Sequence, residues 1–186
     1  MPGQSKVVDA ASGGYILGKA LWIHFIFLLS CVSLPALATE EKPCSDVLSS
    51  NISFNEKLQR IEQALTLSWS ADTSASTQWT ANNPSLGQCA VTALVVQDLL
   101  GGEIVWAEAQ LPDGKAESHY KNLINGSEVD LTVQQFPNGS VIPLGVAKLK
   151  GFTKTRDYIL SFESTRRRYL LLRERMLGLM QNLSFR

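Results

Sequence analysis

The sequence predicts a single α+β domain: a buried helix packed on a small antiparallel sheet, flanked by N- and C-terminal helices. Three observations carry this. Helical periodicity brackets the domain, with Phe54, Leu58, Ile61 and Leu65 on one face near its start and Tyr169, Leu172, Met176 and Leu179 near its end. The run "AVTALVV" (Ala90 to Val96) is apolar nearly all round, as a buried helix must be. Further on, Asn125-Gly126 lies between alternating residues, the strongest short signal for a hairpin.

Taken in order, residues 1–38 read as a signal peptide. Lys6 and Lys19 precede the apolar run Ala20 to Leu34, and Ala36-Leu37-Ala38 has the small-x-small form of a signal-peptidase site. The run is about fifteen residues, short for a spanning helix. Cleavage after Ala38 is therefore favoured over an uncleaved anchor through residues 15–37. Cys31 sits in a loose lipoprotein-box context, but apolar Val32 and Leu34 still follow it. The expected address is periplasmic or extracellular, with membrane contact through the leader alone.

Residues 39–52 read as an irregular lead-in and 53–186 as the domain. Ser53-Phe54-Asn55-Glu56 has the capping-box form that starts the first helix. Trp69 to Gly87 is a polar loop with two tryptophans, and loops of that length often border a site. The buried helix runs from about Gln88 to Leu100 and stops at Gly101-Gly102. Glu103 to Ala109 alternates as a strand, and Pro112-Asp113-Gly114 turns the chain.

A two-residue hairpin loop at Asn125-Gly126 pairs Ile124 with Ser127. Extended along both strands, it sets His119 opposite Thr132 and Lys121 opposite Asp130. His119, Lys121, Glu128, Asp130 and Thr132 then share a polar face; Tyr120, Ile124, Val129, Leu131 and Val133 share the other. His119 and Asp130 become diagonal neighbours, roughly 7–8 Å apart at the backbone. Short helical segments follow at Arg156 to Ser161 and Thr165 to Met180.

Composition bounds the function. Apolar residues make up 45% and charged residues 18% of 186, and 17 basic residues balance 17 acidic ones. Loss of the leader removes Lys6, Lys19 and Asp9 and leaves a net charge of −1. That argues against bulk attraction to nucleic acid or anionic lipid. Arg166-Arg167-Arg168 with Arg173 and Arg175 reads as a solvated helix face, since Glu163 and Glu174 are interspersed. After cleavage two cysteines, Cys44 and Cys89, and one histidine, His119, remain. No cluster has metal-ligand spacing, so no metal or other cofactor is expected.

Cys89 falls in the first turn of the buried helix, where unpaired N–H groups and the positive end of the dipole favour a thiolate. His119 would take the thiol proton, and Asp130 would orient the imidazole. The Cys89 N–H, with the Gln88 side chain as a second donor, would hold a developing oxyanion. The competing readings are structural. Cys89 packs in a core as free cysteines commonly do, or is bonded to Cys44, as an exported chain allows. Asp130 with Lys121 is equally a cross-strand ion pair. Trp106 in its strand reads as packing, and Trp79 as packing or cleft lining. The four Asn-x-Ser sequons, at Asn51, Asn125, Asn138 and Asn182, include two Asn-Gly-Ser that turn chemistry explains.

"WSADTS" (Trp69 to Ser74), "GQCAVTALVVQDLLGGEI" (Gly87 to Ile104), "SHY" (Ser118 to Tyr120), "EVDLT" (Glu128 to Thr132) and "TRRRYLLLRERM" (Thr165 to Met176) resemble the YunG-like family of small bacterial proteins. The family looks like a compact relative of papain-like and NlpC-type cysteine hydrolases, which implies a papain-like core. By position it implies Cys89, His119 and Asp130 as the triad. Lys121 stands where an aromatic is expected after the tyrosine of "SHY", and the leader is unusual for the family. The expected activity is a cysteine hydrolase or acyltransferase on an amide or thioester carbonyl, with a peptide or other acyl group as substrate. The alternative is a non-enzymatic binding or adaptor domain with Cys89 packed or bonded to Cys44.

Overall fold

A computed structural model of the protein describes residues 52–184. The expected signal peptide, the lead-in with Cys44, and Asn51 lie outside the described residues. Among the described residues the architecture is mixed α+β, with four α-helices and one three-stranded antiparallel sheet.

Helix α1 (Phe54–Ser68) starts as its capping box dictates. Ser53 Oγ accepts from the Glu56 N–H at 3.3 Å, and Glu56 Oε2 accepts from the Ser53 N–H at 2.9 Å. These groups are exposed, so Ser53→Ala should cost only about 1 kcal/mol. The expected signature is a lower urea midpoint at an unchanged m-value. Ile61, Ala64 and Leu65 are fully buried against the core, while Phe54 in the first turn is exposed.

Helix α2 (Cys89–Leu100) is the centre of the molecule, with Val91 through Val96 and Leu99 buried. It packs on the sheet on one side and on α4 (Glu163–Ser184) on the other, which is why its sequence is apolar all round. Gly101 and Gly102 end it with φ of 74° and 77°. A side chain at Gly102 would meet the Leu123 carbonyl oxygen at 2.4 Å, so the sheet approaches the helix end too closely for any other residue.

Strands β1 (Glu103–Gln110), β2 (Ala116–Ile124) and β3 (Ser127–Val129) lie in the order β1-β2-β3. Asn125 and Gly126 both have positive φ, 51° and 80°, the geometry of a type I′ turn. The register is the expected one: Ile124 pairs with Ser127, Leu123 with Glu128 and Asn122 with Val129. The ladder then stops. Pairs of His119 with Thr132 and Lys121 with Asp130 are not formed, because Asp130 leaves the strand. Its Oδ1 accepts from the Thr132 N–H at 3.1 Å and the Thr132 hydroxyl at 3.3 Å, an Asx-type turn that leads into a 3-10 turn at Val133–Gln135.

The two faces of β2 differ in what covers them. Ile124 and Tyr120 meet the α2 core, and buried Asn122 donates from Nδ2 to the Ala93 carbonyl at 2.9 Å. The opposite face, expected to be polar, is not open to water. The returning chain from Thr132 to Gly145 covers it, burying His119 and Lys121. A buried lysine costs several kcal/mol unless paired. Lys121 Nζ lies 2.5 Å from Glu128 Oε2 and donates to the Pro143 carbonyl at 2.9 Å. The Gly145 N–H donates to Glu128 Oε1 at 2.6 Å. Backbone bridges from Val141 to Gln110 and from Val146 to Trp106 close the outer edge of β1.

Helix α3 (Thr155–Leu160) is short. The buried stripe of α4 is Thr165, Tyr169, Leu172, Met176 and Met180, so the expected Leu179 gives way to its neighbour. Both lie within a turn of Met176, and packing selects Met180. No helix among the described residues is long and apolar enough to cross a membrane.

Candidate active site

Cys89 is the first residue of α2, a half-buried free thiol. Gln88 at the N-cap makes no side-chain cap bond, so no side chain takes up the N–H groups of the first turn. The loop from Trp69 to Gly87 fixes this end of the helix. Trp69 Nε1 donates to Thr92 Oγ1 at 3.0 Å, and Arg175 Nη1 to Ser70 Oγ at 2.6 Å. Ser74 Oγ donates to the Leu86 carbonyl at 2.7 Å, and the Ala75 N–H to the Gly87 carbonyl at 2.9 Å.

The loop also claims Gln88. That side chain is fully buried, its Nε2 donates to the Ser70 carbonyl at 3.0 Å, and its Oε1 has no partner. The Gln88 amide ties the loop to the helix through one N–H, and its second N–H has no bond to Ser70.

His119, in the middle of β2, has no exposed surface. Its Nε2 lies 2.6 Å from Asp130 Oδ2, and the Asx-type turn leaves that carboxylate oxygen free for the ring. Its Nδ1 lies 3.2 Å from Gln135 Nε2, which also donates to the Thr132 carbonyl at 3.0 Å. Phe136 meets the ring edge-on with centroids 4.9 Å apart. Burial is the strongest single influence on the imidazole and lowers its pKa. Hydrogen bonds to Asp130 and Cys89 and the charges of both outweigh it, and the pKa rises from 6.5 to about 9. Cys89 is therefore within hydrogen-bonding influence of His119.

The structure thus sets Asp130 on His119, with Cys89 acting electrostatically on the same ring. It places Lys121 on Glu128 instead of Asp130, so the lysine's charge is neutralised beside the site rather than in it. Burial tends to raise the Glu128 pKa, but the Lys121 hydrogen bond, the Gly145 N–H and the Lys121 charge hold it below the usual carboxylate value. Gln135 escaped the sequence reading. It belongs to a turn with no periodicity, and nothing in "TVQQF" marks one glutamine as facing a histidine. Among the described residues, no group of three or more His, Cys, Asp or Glu side chains could hold a metal ion. The arginines of α4 are engaged within the fold: Arg166 and Arg167 with Glu163, Arg173 with Asp98, and Arg175 with Asp72.

Comparison with known proteins agrees with the motif blocks. No solved structure matches the chain. A curated relative from Bacillus subtilis (strain 168), "Uncharacterized protein YunG", is 41% identical over 80 residues. The aligned stretch is 42% of this chain and 63% of the relative's length, so the chain spans less than two thirds of it. The family model for the YunG protein matches residues 57–181, a stretch that runs from within α1 to within α4 and contains all three residues of the candidate site. With that match over most of its length, the chain belongs to the YunG family.

Proposed function

We propose that the protein is an exported cysteine hydrolase or acyltransferase with a papain-like core, acting on an amide or thioester carbonyl. One observation supports the reading: a buried histidine, the sole one in the domain, has a carboxylate at 2.6 Å and is raised in pKa by the thiol at a helix N-terminus as well. In the first step Cys89 Sγ, its proton passed to His119, bonds to the carbonyl carbon, and the C=O electron pair moves to oxygen. The Cys89 N–H is the donor for that oxyanion, and the second N–H of the Gln88 amide would assist while the first stays on Ser70. Collapse breaks the bond to the amine or thiol, which leaves with the His119 proton. Water or another acceptor then attacks the thioester while His119 takes its proton, and the thiolate departs. Asp130 holds the ring and favours its charged form.

The test is acyl trapping. Incubation with p-nitrophenyl acetate and acid quench should leave one acetyl group on Cys89 by mass spectrometry, and Cys89→Ser should carry none. Absence of an adduct from the wild-type protein would sink the reading.

A second reading is a non-enzymatic binding or adaptor domain of the same fold, with Cys89 packed or bonded to Cys44. Complete burial of His119 and the occupation of its Nδ1 by Gln135 favour it, since they describe a satisfied structural histidine. It expects a thiol inert to acylation, or undetectable before reduction.

A further inference from the structure

Beyond the Cys89–His119–Asp130 group, Lys148 is a half-buried cation that makes no ion pair among the described residues. Its Nζ lies 4.0 Å from the Trp106 ring centroid, 5.8 Å from that of Tyr120 and 3.4 Å from Ser118 Oγ. The position is built by the backbone. The Lys148 N–H donates to Thr155 Oγ1 at 3.0 Å, and two residues earlier Val146 exchanges both backbone bonds with Trp106 at 2.8 Å. Ser118 Oγ accepts from Trp106 Nε1 at 2.6 Å, which leaves its own proton to donate.

Ser118 and Tyr120 lie either side of His119 in β2 and project from the opposite face of the strand, the face that meets the core around α2, whose first residue is Cys89. Burial first, then Tyr158 and the Cys89 charge, push the Tyr120 hydroxyl up to about 12, so the thiol acts electrostatically on the cluster. Burial and neighbouring Lys150 lower the Lys148 pKa, with Glu108 opposing from the strand. An anion bound at Nζ would relieve both penalties.

We propose that Lys148, Ser118 and the rings of Trp106 and Tyr120 form a carboxylate subsite beside Cys89, and that the acyl substrate is acidic. The rings wall the carbon stem, and the ammonium and hydroxyl take the carboxylate. The substrate class is an acyl group or peptide with a carboxylate close to the carbonyl that is attacked, and this rests on Cys89 as the nucleophile.

Two alkylating reagents that differ only in charge provide the test. Iodoacetate should react with Cys89 faster relative to iodoacetamide than it does with free cysteine, by about threefold at low salt. Salt should erode that preference, and Lys148→Gln should abolish it. Independently of the thiol, glutarate titrated into 15N-labelled protein should shift the Trp106 indole resonance, and not in Lys148→Gln. A reactive thiol with the free-cysteine ratio overturns the subsite and leaves the nucleophile reading intact. A thiol inert to both reagents overturns the nucleophile reading, and the glutarate shift then decides the subsite alone: its presence supports an anion site, its absence removes one.

Discussion

His119→Gln is expected to slow acylation of Cys89 by about 10²- to 10⁴-fold, the usual contribution of a positioned general acid–base. Glutamine is the better probe than alanine. The ring is fully buried and touches Phe136, so alanine would leave a cavity and cost the Gln135 amide one of its two bonds. A wild-type thermal transition in the variant would separate chemistry from folding.

The pH dependence follows from the same geometry. With a pKa of about 9, His119 is protonated below that pH, and the leaving group receives its proton from this imidazolium. Acylation of wild type by an amide substrate, whose amine must leave protonated, should therefore fall as pH rises through about 9. The stability linkage has the same sign: protonation favours the fold in full below 6.5, and that contribution is lost as pH rises through about 9. Asp130→Asn removes a hydrogen bond and a charge that raise the pKa, while burial still lowers it. The falling limb should then move to lower pH. A limb fixed near 9 in the variant would show that Asp130 does not act on the ring.

Gly87→Ala is the second large effect. Gly87 has φ of +70°, where an alanine is strained, and the added carbon would lie 2.6 Å from both Ser74 Oγ and the Ser76 backbone nitrogen. The hydroxyl is itself bound to the Leu86 carbonyl, and the other contact is main chain, so neither yields cheaply. Backbone strain and overpacking together predict about 3 kcal/mol of destabilisation. Because Gly87 is two residues before Cys89, thiol acylation should fall further than the unfolded fraction explains. Equal losses in the two would mean that the loop does not position the thiol. Gly114→Ala serves as the control, since it also has positive φ but open space around it.

Much of this architecture was legible because it is local. The capping box at Ser53, the apolar run of α2, the Gly101-Gly102 stop and the Asn125-Gly126 turn each specify backbone geometry through neighbours a few residues away. The hairpin register followed from the turn. The limits appeared where distant chain decided the outcome. The ladder was expected to run to Thr132, but Asp130 satisfied a local turn instead, and β3 kept three residues. The face expected to be polar buries His119 and Lys121, because residues 132–145 fold back over it. That a carbonyl eighteen residues away holds one N–H of the Gln88 amide is likewise written in no local pattern.

The sequence by itself determined the elements, the turn that pairs β2 with β3, and the chemical types at positions 89, 119 and 130. Those depend on short-range sterics and periodicity, which any stretch of chain carries within itself. Tertiary structure alone decided that Gln135 and Phe136 close over the imidazole, that Glu128 and not Asp130 takes Lys121, and that Lys148 meets the face of Trp106. Each of these contacts joins residues brought together by burial of surface remote in the chain, and no local pattern encodes which remote group arrives.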